Sequence, residues 1–192
     1  MDNKLKTRDL ISAGIFGAMY IIVMVATVTV VGFIPITYIF APFFAGITCG
    51  TVYMLYTMKV PKRGAILILS ILVALVISSG TWISGVYAVV CGIVAEILFG
   101  MGNYKSMKFA TASFCAFACT TVGPFLAILI AKDSFLASVV QYYGQEYADK
   151  LDALTPSWII LVLITLGIIG GFIGATIGKK ILKKHFEKAG VV

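Results

Sequence analysis

Apolar residues run through this chain in long blocks, separated by short connections rich in Gly, Pro or charge. A helix needs roughly 20 apolar residues to cross about 30 Å of hydrocarbon. Six blocks fit that length, at 10–32, 36–58, 64–79, 85–101, 109–131 and 157–178, the third being short. The pattern predicts an all-α membrane protein with six transmembrane helices in a single integral membrane domain, 1–192. Only one connection is long. Within 132–156, Leu136, Val140, Tyr143, Tyr147, Leu151 and Leu154 recur at spacings of three and four, one face of an amphipathic helix. Ser134 is placed to cap its start. Gly144, in the middle, weakens the expectation of one continuous helix. This segment reads either as a helix lying on the membrane surface or as a lid over an outward-facing pocket.

Composition agrees with the blocks. Hydrophobic residues make up 60% of the chain and charged residues 12%, with a mean hydropathy of +1.05. A soluble domain carries about twice that charged fraction. The position of the charge adds topology. Thirteen of the fifteen Lys and Arg fall into four clusters: Lys4/Lys6/Arg8, Lys59/Lys62/Arg63, Lys105/Lys108 and Lys179/Lys180/Lys183/Lys184/Lys188. Basic loops resist translocation, so the clusters mark the cytoplasmic side and an even number of crossings separates them. Both termini are therefore expected in the cytoplasm of a multi-pass cell-membrane protein. The net charge of +7 follows topology and forms no continuous face, which excludes a nucleic-acid partner and leaves membrane lipid as its natural contact.

Catalysis finds no constellation. The single histidine, His185, lies in the basic tail, and the phosphate-cradling GxxxxGK[ST] is absent. No enzyme activity and no cofactor are expected. Cys49, Cys91, Cys115 and Cys119 all fall inside blocks; Cys115 and Cys119 share a face, but nothing completes a metal ligand set, so they read as packing residues. Glu96 is the one carboxylate or basic residue inside a block. It reads as a hydrogen-bonded structural glutamate, with a substrate ligand and a subunit contact as alternatives.

Small residues are patterned too. The last block nests Gly167xxxGly171, Gly170xxxGly174 and Gly174xxxGly178, spacings that let helices approach closely in lipid. Such faces usually pack inside a fold. The first block offers Ala13xxxGly17 and Gly14xxxAla18.

Several short motifs then coincide. Lys4-Leu5-Lys6-Thr7-Arg8-Asp9-Leu10-Ile11 leads into a small-residue first helix. Gly32-Phe33-Ile34-Pro35, Ala41-Pro42, Tyr53-Met54-Leu55 and the Lys59-Val60-Pro61-Lys62-Arg63-Gly64 turn follow. Together with length and six-block topology, they resemble the S components of the MptD type in the energy-coupling factor (ECF) transporters, over nearly the whole chain. The resemblance implies a six-helix membrane subunit that captures a vitamin-like small molecule at the outer face. It implies partners as well: a transmembrane coupling subunit with two ATPase subunits, docked through small residues of the first helix. The matching positions are Ala13, Gly14, Gly17 and Ala18; glycine replaces one member of each alanine pair, which leaves open which pair docks.

The resemblance also places the pocket in the outer half. The polar and aromatic groups there are Ser79, Thr81, Trp82, Ser84 and Tyr87 around the second outer connection; Thr120 and Thr121 beside Gly123-Pro124; Gln141, Tyr142 and Tyr143 in the long connection; and Ser157 and Trp158 at the last block. The substrate-binding candidates are Ser79, Thr81, Trp82, Tyr87, Thr120, Thr121, Tyr143 and Trp158. Four of these have a plainer role: Trp82 and Trp158 in an interfacial aromatic belt, Thr120 and Thr121 in packing or in hydrogen bonds back to their own helix. Aromatic faces with few charges suit a flat neutral heterocycle. A self-contained secondary transporter and a non-catalytic membrane assembly protein are the competing functions.

Overall fold

The computed structural model describes residues 5–188, with side chains through Lys183; Lys4 and the side chains of Lys184, His185 and Lys188 lie outside the described residues. Ten α-helices and one 3-10 turn make up the described chain, and no strand occurs among them. They are α1 (Thr7–Gly32), α2 (Pro35–Tyr38), α3 (Ala41–Lys59), α4 (Ala65–Ile77), α5 (Trp82–Met101), α6 (Met107–Ala118), the 3-10 turn Cys119–Val122, α7 (Gly123–Ile130), α8 (Lys132–Tyr143), α9 (Gln145–Leu154) and α10 (Ile159–Lys188). Four stretches are long and apolar enough to cross a membrane: α1, α5, the α6–α7 rod and α10.

Helices α3 and α4 explain the other two blocks. Ten of the nineteen residues of α3 are buried, so this helix meets protein more than solvent, and Pro, Gly, Thr and Tyr dilute its apolarity. Helix α4 has thirteen residues, about 20 Å of rise. The expected second block also starts late. Pro35 opens a separate single turn, α2, and α3 begins only at Ala41 with Pro42 in its first turn. A proline favours the start of a helix and disfavours helix immediately before it, so each of these prolines opens an element.

A backbone seam between α3 and α10 holds the bundle together. A Cβ on Gly46 would lie 2.6 Å from the backbone of Gly170 and Gly171, and one on Gly50 would overlap Gly174. Gly178 faces Thr51, with 2.8 Å between its would-be Cβ and the Thr51 Cα. The nested glycines of the last block are therefore spent inside the fold. Their partner is a second spacing on α3, Gly46xxxGly50, and Gly171 turns to the other side against Cys115 and Ala118 of α6. Close backbone approach adds many weak contacts that lipid cannot replace.

Beside the seam lies an aromatic core. Tyr20, Tyr53, Phe114 and Phe117 meet at ring separations of 4.7 to 6.3 Å. The Tyr53 hydroxyl and Ser113 Oγ are 2.7 Å apart, and Ser113 donates to the Ala95 carbonyl at 2.7 Å. These two buried hydroxyls are thus paired, as a water-free interior favours.

Every described basic cluster falls at one end of the bundle, where the α3–α4 and α5–α6 turns meet around Gly64 and Tyr104. Leu5 packs near Gly64 at the same end. The opposite end carries α2, the α4–α5 connection and the α8–α9 pair.

The fifth block is broken rather than continuous. Pro124 supplies no N–H, and the chain tightens into the 3-10 turn before restarting as α7. The long connection is broken as well: α8 and α9 meet at Gly144, with φ +85°, a left-handed value that glycine accepts without a Cβ penalty. Helix α8 starts at Lys132, so Ser134 lies inside it and is not its cap; its carbonyl instead accepts from Ser138 Oγ at 3.1 Å.

Candidate functional site

The end opposite the basic clusters holds two adjoining hollows of about 220 and 120 Å³. They share Val28, Thr29 and Tyr38, so we describe them as one cleft. The outer part lies under Phe135, Val139, Tyr142, Tyr143, Tyr147 and Leu151 of the α8–α9 pair; the inner part reaches Met24, Ile77, Thr121 and Pro124. Helix α1 supplies one wall because Met24, Val28 and Thr29 lie on neighbouring faces of its outer half. Tyr38 enters because α2 turns the chain back over the bundle. Its ring packs on Phe125 at 4.9 Å, and Thr37 donates to the Val31 and Ile34 carbonyls at 2.5 and 2.8 Å, fixing that turn. None of the lining residues is charged. Apolar and aromatic walls with a few hydroxyls are the usual chemistry of a small-molecule site.

The cover is a helical hairpin seated by Val139, Ala148 and Leu151, which are buried with Ile39, Phe125 and Ile128. Lys132 and Asp152 form a 2.7 Å ion pair joining the start of α8 to the end of α9. Partly exposed, it contributes at most about 1 kcal/mol. Tyr143 stacks on Tyr147 at 4.7 Å, and the Tyr147 hydroxyl donates to the Gly32 carbonyl at 2.7 Å. That bond latches the cover to the C-terminus of α1, where a carbonyl has no helical partner. Burial pushes the Tyr147 hydroxyl up to about 12, so it remains a donor well past its ordinary range. On the exposed side of α9, the Lys150 ammonium holds the Glu146 carboxyl below its usual value.

The structure gathers some of the expected residues and scatters others. Tyr143 and Thr121 line the cleft, although Thr121 also donates to the Ala118 carbonyl at 2.9 Å. Thr81 and Trp82 border a neighbouring hollow of about 290 Å³ at the rim, with Gly80, Ser134 and Phe135; Thr81 caps α5, and Trp82 is largely exposed. Ser79 turns back to the Val76 carbonyl at 2.7 Å and ends α4. Tyr87 packs against a buried cluster that includes Cys91, Cys119, Val122 and Phe125, away from the cleft lining. Trp158 is exposed at the head of α10. Thr120 is fully buried, and its hydroxyl, like that of Ser84, has no protein partner. Sequence reasoning missed Thr29, Tyr38 and Tyr147, the groups best placed on the cleft wall. Tyr147 did recur on the apolar face of the amphipathic segment, and its Tyr143 pairing was readable from the spacing of four.

The small residues of α1 separate into two faces. Ala13 and Gly17 are buried, and a Cβ on Gly17 would come within 3.0 Å of Leu72. Gly14 and Ala18 are exposed, with nothing within 4 Å of a Cβ at Gly14; Ile11, Ile15, Met19 and Ile22 flank them on the surface.

Glu96 has a structural role. Its carboxylate accepts from the Gly64 and Ile66 amides at 2.7 and 3.0 Å and from the Tyr104 hydroxyl at 2.9 Å. It thereby caps the N-terminus of α4, where unpaired amides and the helix dipole favour negative charge. Asn103 and Tyr104 hold left-handed backbone, φ 52° and 57°, costly for non-glycine residues, and that turn delivers Tyr104 to the carboxylate. A hollow of about 530 Å³ opens beside this cap, between α4 and α5. Cys119 donates weakly to the Cys115 and Ile164 carbonyls, a packing role.

No curated protein and no solved structure matches the chain. A family described as hypothetical bacterial integral membrane proteins, Trep_Strep, matches residues 7–188. With nearly its whole length matched, and with long apolar helices of the kind that cross membranes, the chain belongs to this family of bacterial integral membrane proteins.

Proposed function

We propose that the chain is the substrate-binding (S) subunit of an energy-coupling factor importer. The observation that carries this reading is the uncharged aromatic cleft at the end opposite the basic clusters, covered by the α8–α9 hairpin. In this reading α1, α3, α4, α5, the α6–α7 rod and α10 are six spans of the cell membrane, with both termini cytoplasmic by the rule that basic loops stay inside. The cleft then faces outward and takes a flat neutral ring, stacked on Tyr38 or Tyr143 and hydrogen-bonded through Thr29 or Thr121. The chain catalyses nothing; ATP is hydrolysed by two partner subunits reached through a membrane coupling subunit. Of the α1 residues, Gly14 and Ala18 suit that docking, since they are exposed between apolar neighbours and admit a close helix.

Affinity purification of the tagged chain in mild detergent tests the reading. Recovery of a coupling subunit with two ATPases, lost in Gly14→Leu, supports it; recovery of the chain alone, under conditions that preserve such complexes, overturns it. The broken α6–α7 rod favours a second reading, a solitary secondary transporter, because interrupted helices build binding sites in such proteins. Uptake by proteoliposomes holding this chain alone would establish that alternative.

A further inference from the structure

Two buried hydroxyls face one interface where the α6–α7 rod breaks. Ser84 and Thr120 are both fully buried, and neither hydroxyl has a protein partner. Nearby hydroxyls do find one: Thr121 donates to the Ala118 carbonyl, Ser78 to Ala74 and Ser79 to Val76. Gly123 shows that the two groups share an interface. A Cβ on Gly123 would lie 3.0 Å from Cα and 3.1 Å from Cβ of Ser84, so this face of the rod points at the first turn of α5. The Gly123 amide donates to the Thr120 carbonyl, closing a 3-10 turn in which positions i and i+3 eclipse. Thr120 therefore presents its side chain to the same face of α5, where the fully buried Ala88 follows Ser84 one turn on. At about 2 Å of rise per residue, Thr120 stands ~6 Å along the rod from Gly123. The two hydroxyls do not bond each other, and two hydrogen bonds of about 2.8 Å span such a gap. In a bundle surrounded by lipid neither hydroxyl can turn to bulk solvent, and leaving both unmet is costly.

We infer that Ser84 and Thr120 hold one structural water molecule, which ties the start of α5 to the break in the rod. Two neutral hydroxyls suit a water, which takes roughly two to four partners, and fall short of the roughly six oxygens that a hard cation gathers. The site lies directly behind the inner wall of the cleft, because Thr121 and Pro124, which line that wall, belong to the same break. The water thereby fixes where the wall stands, whatever the cleft binds.

Thermal unfolding of the detergent-purified full chain tests this with Ser84→Ala, Thr120→Val and the double variant, alongside a crystallographic or cryo-EM map fine enough to show ordered water. Each single substitution is expected to lower the melting temperature, because it leaves the other hydroxyl without a partner. The double variant should melt no lower than the weaker single one, since both hydroxyls then go together. The map should hold one peak within about 3 Å of both oxygens. Single variants that melt higher than wild type would overturn the site, because removing a hydroxyl from a dry interface relieves it. Losses that simply add in the double variant would overturn the sharing. Oxygens in direct contact in the map, with no peak between them, would overturn the water in favour of a bonded pair.

Discussion

The α3–α10 seam and the α8–α9 cover are built on opposite principles. In the seam, backbone lies on backbone: Gly46, Gly50, Gly170 and Gly174 have no side chains to readjust, so the two helices have one way to fit. In the cover, two short helices joined at Gly144, and tied to each other by one stacked pair and one ion pair, rest on the bundle through the Tyr147 hydroxyl and a small apolar cluster around Val139, Ala148 and Leu151. The first arrangement fixes a frame. The second leaves the hairpin with fewer contacts to its neighbours than the seam has, the condition under which an element opens at low cost. The binding role proposed above calls for both.

The contrast fails first if the seam tolerates bulk. Gly50→Leu is expected to abolish folded, monodisperse protein, because its Cβ alone overlaps Gly174; overpacking of this kind costs about 3 kcal/mol or more. A normal elution profile for that variant would sink the rigid-frame half of the comparison. Glu96→Ala comes next. It strips the α4 cap and leaves two amides and a tyrosine hydroxyl unmet, for an expected loss of about 2–3 kcal/mol in unfolding stability, with Tyr104→Phe losing about 1 kcal/mol. Gly14→Leu and Gly17→Leu separate the faces of α1: the former should melt like wild type yet fail to bring down partner subunits, the latter should lower the melting point through Leu72.

At the cover the effects shrink. Tyr147→Phe should cost no more than about 1 kcal/mol of stability while speeding ligand release, measured by stopped-flow fluorescence of the bound ligand. Unchanged release would remove the latch from the account. The pH dependence has a defined sign. The Tyr147 hydroxyl is raised from 10 to about 12 in the folded chain, so its donor role is complete below the ordinary value and fades as pH climbs from 10 through about 12. A release rate that already rises at neutral pH would point to another group.

The same contrast explains what could be read in the sequence. Helix positions were legible, because apolar block length and basic clusters are set by the solvent each residue meets. The glycine spacing of α10 was legible as a packing face; its partner was not, since Gly46 and Gly50 sit in a block that also holds Pro, Thr and Tyr. Breaks were half-legible: Gly144 and Pro124 announced themselves, whereas Pro42, which opens α3 after α2, stands inside an apolar run long enough to read as one span. The cleft was least legible. Ser79, Thr81 and Trp82 lie close in sequence to the correct end, yet Thr29 and Tyr38 line the wall because of how α1 is rotated and how α2 folds back. Rotation about a helix axis is decided by packing, and the apolar surface of α1 is nearly uniform around it.

The Glu96 cap has a consequence for biogenesis. Helix α4 leaves the ribosome before the carboxylate that satisfies its first amides, thirty residues ahead of it in the case of Ile66. At thirteen residues it is also shorter than a typical bilayer core. Helix α4 is therefore an incomplete unit until α5 arrives: the two form a hairpin whose open end, away from its turn, is closed last, by a glutamate near the end of the second arm.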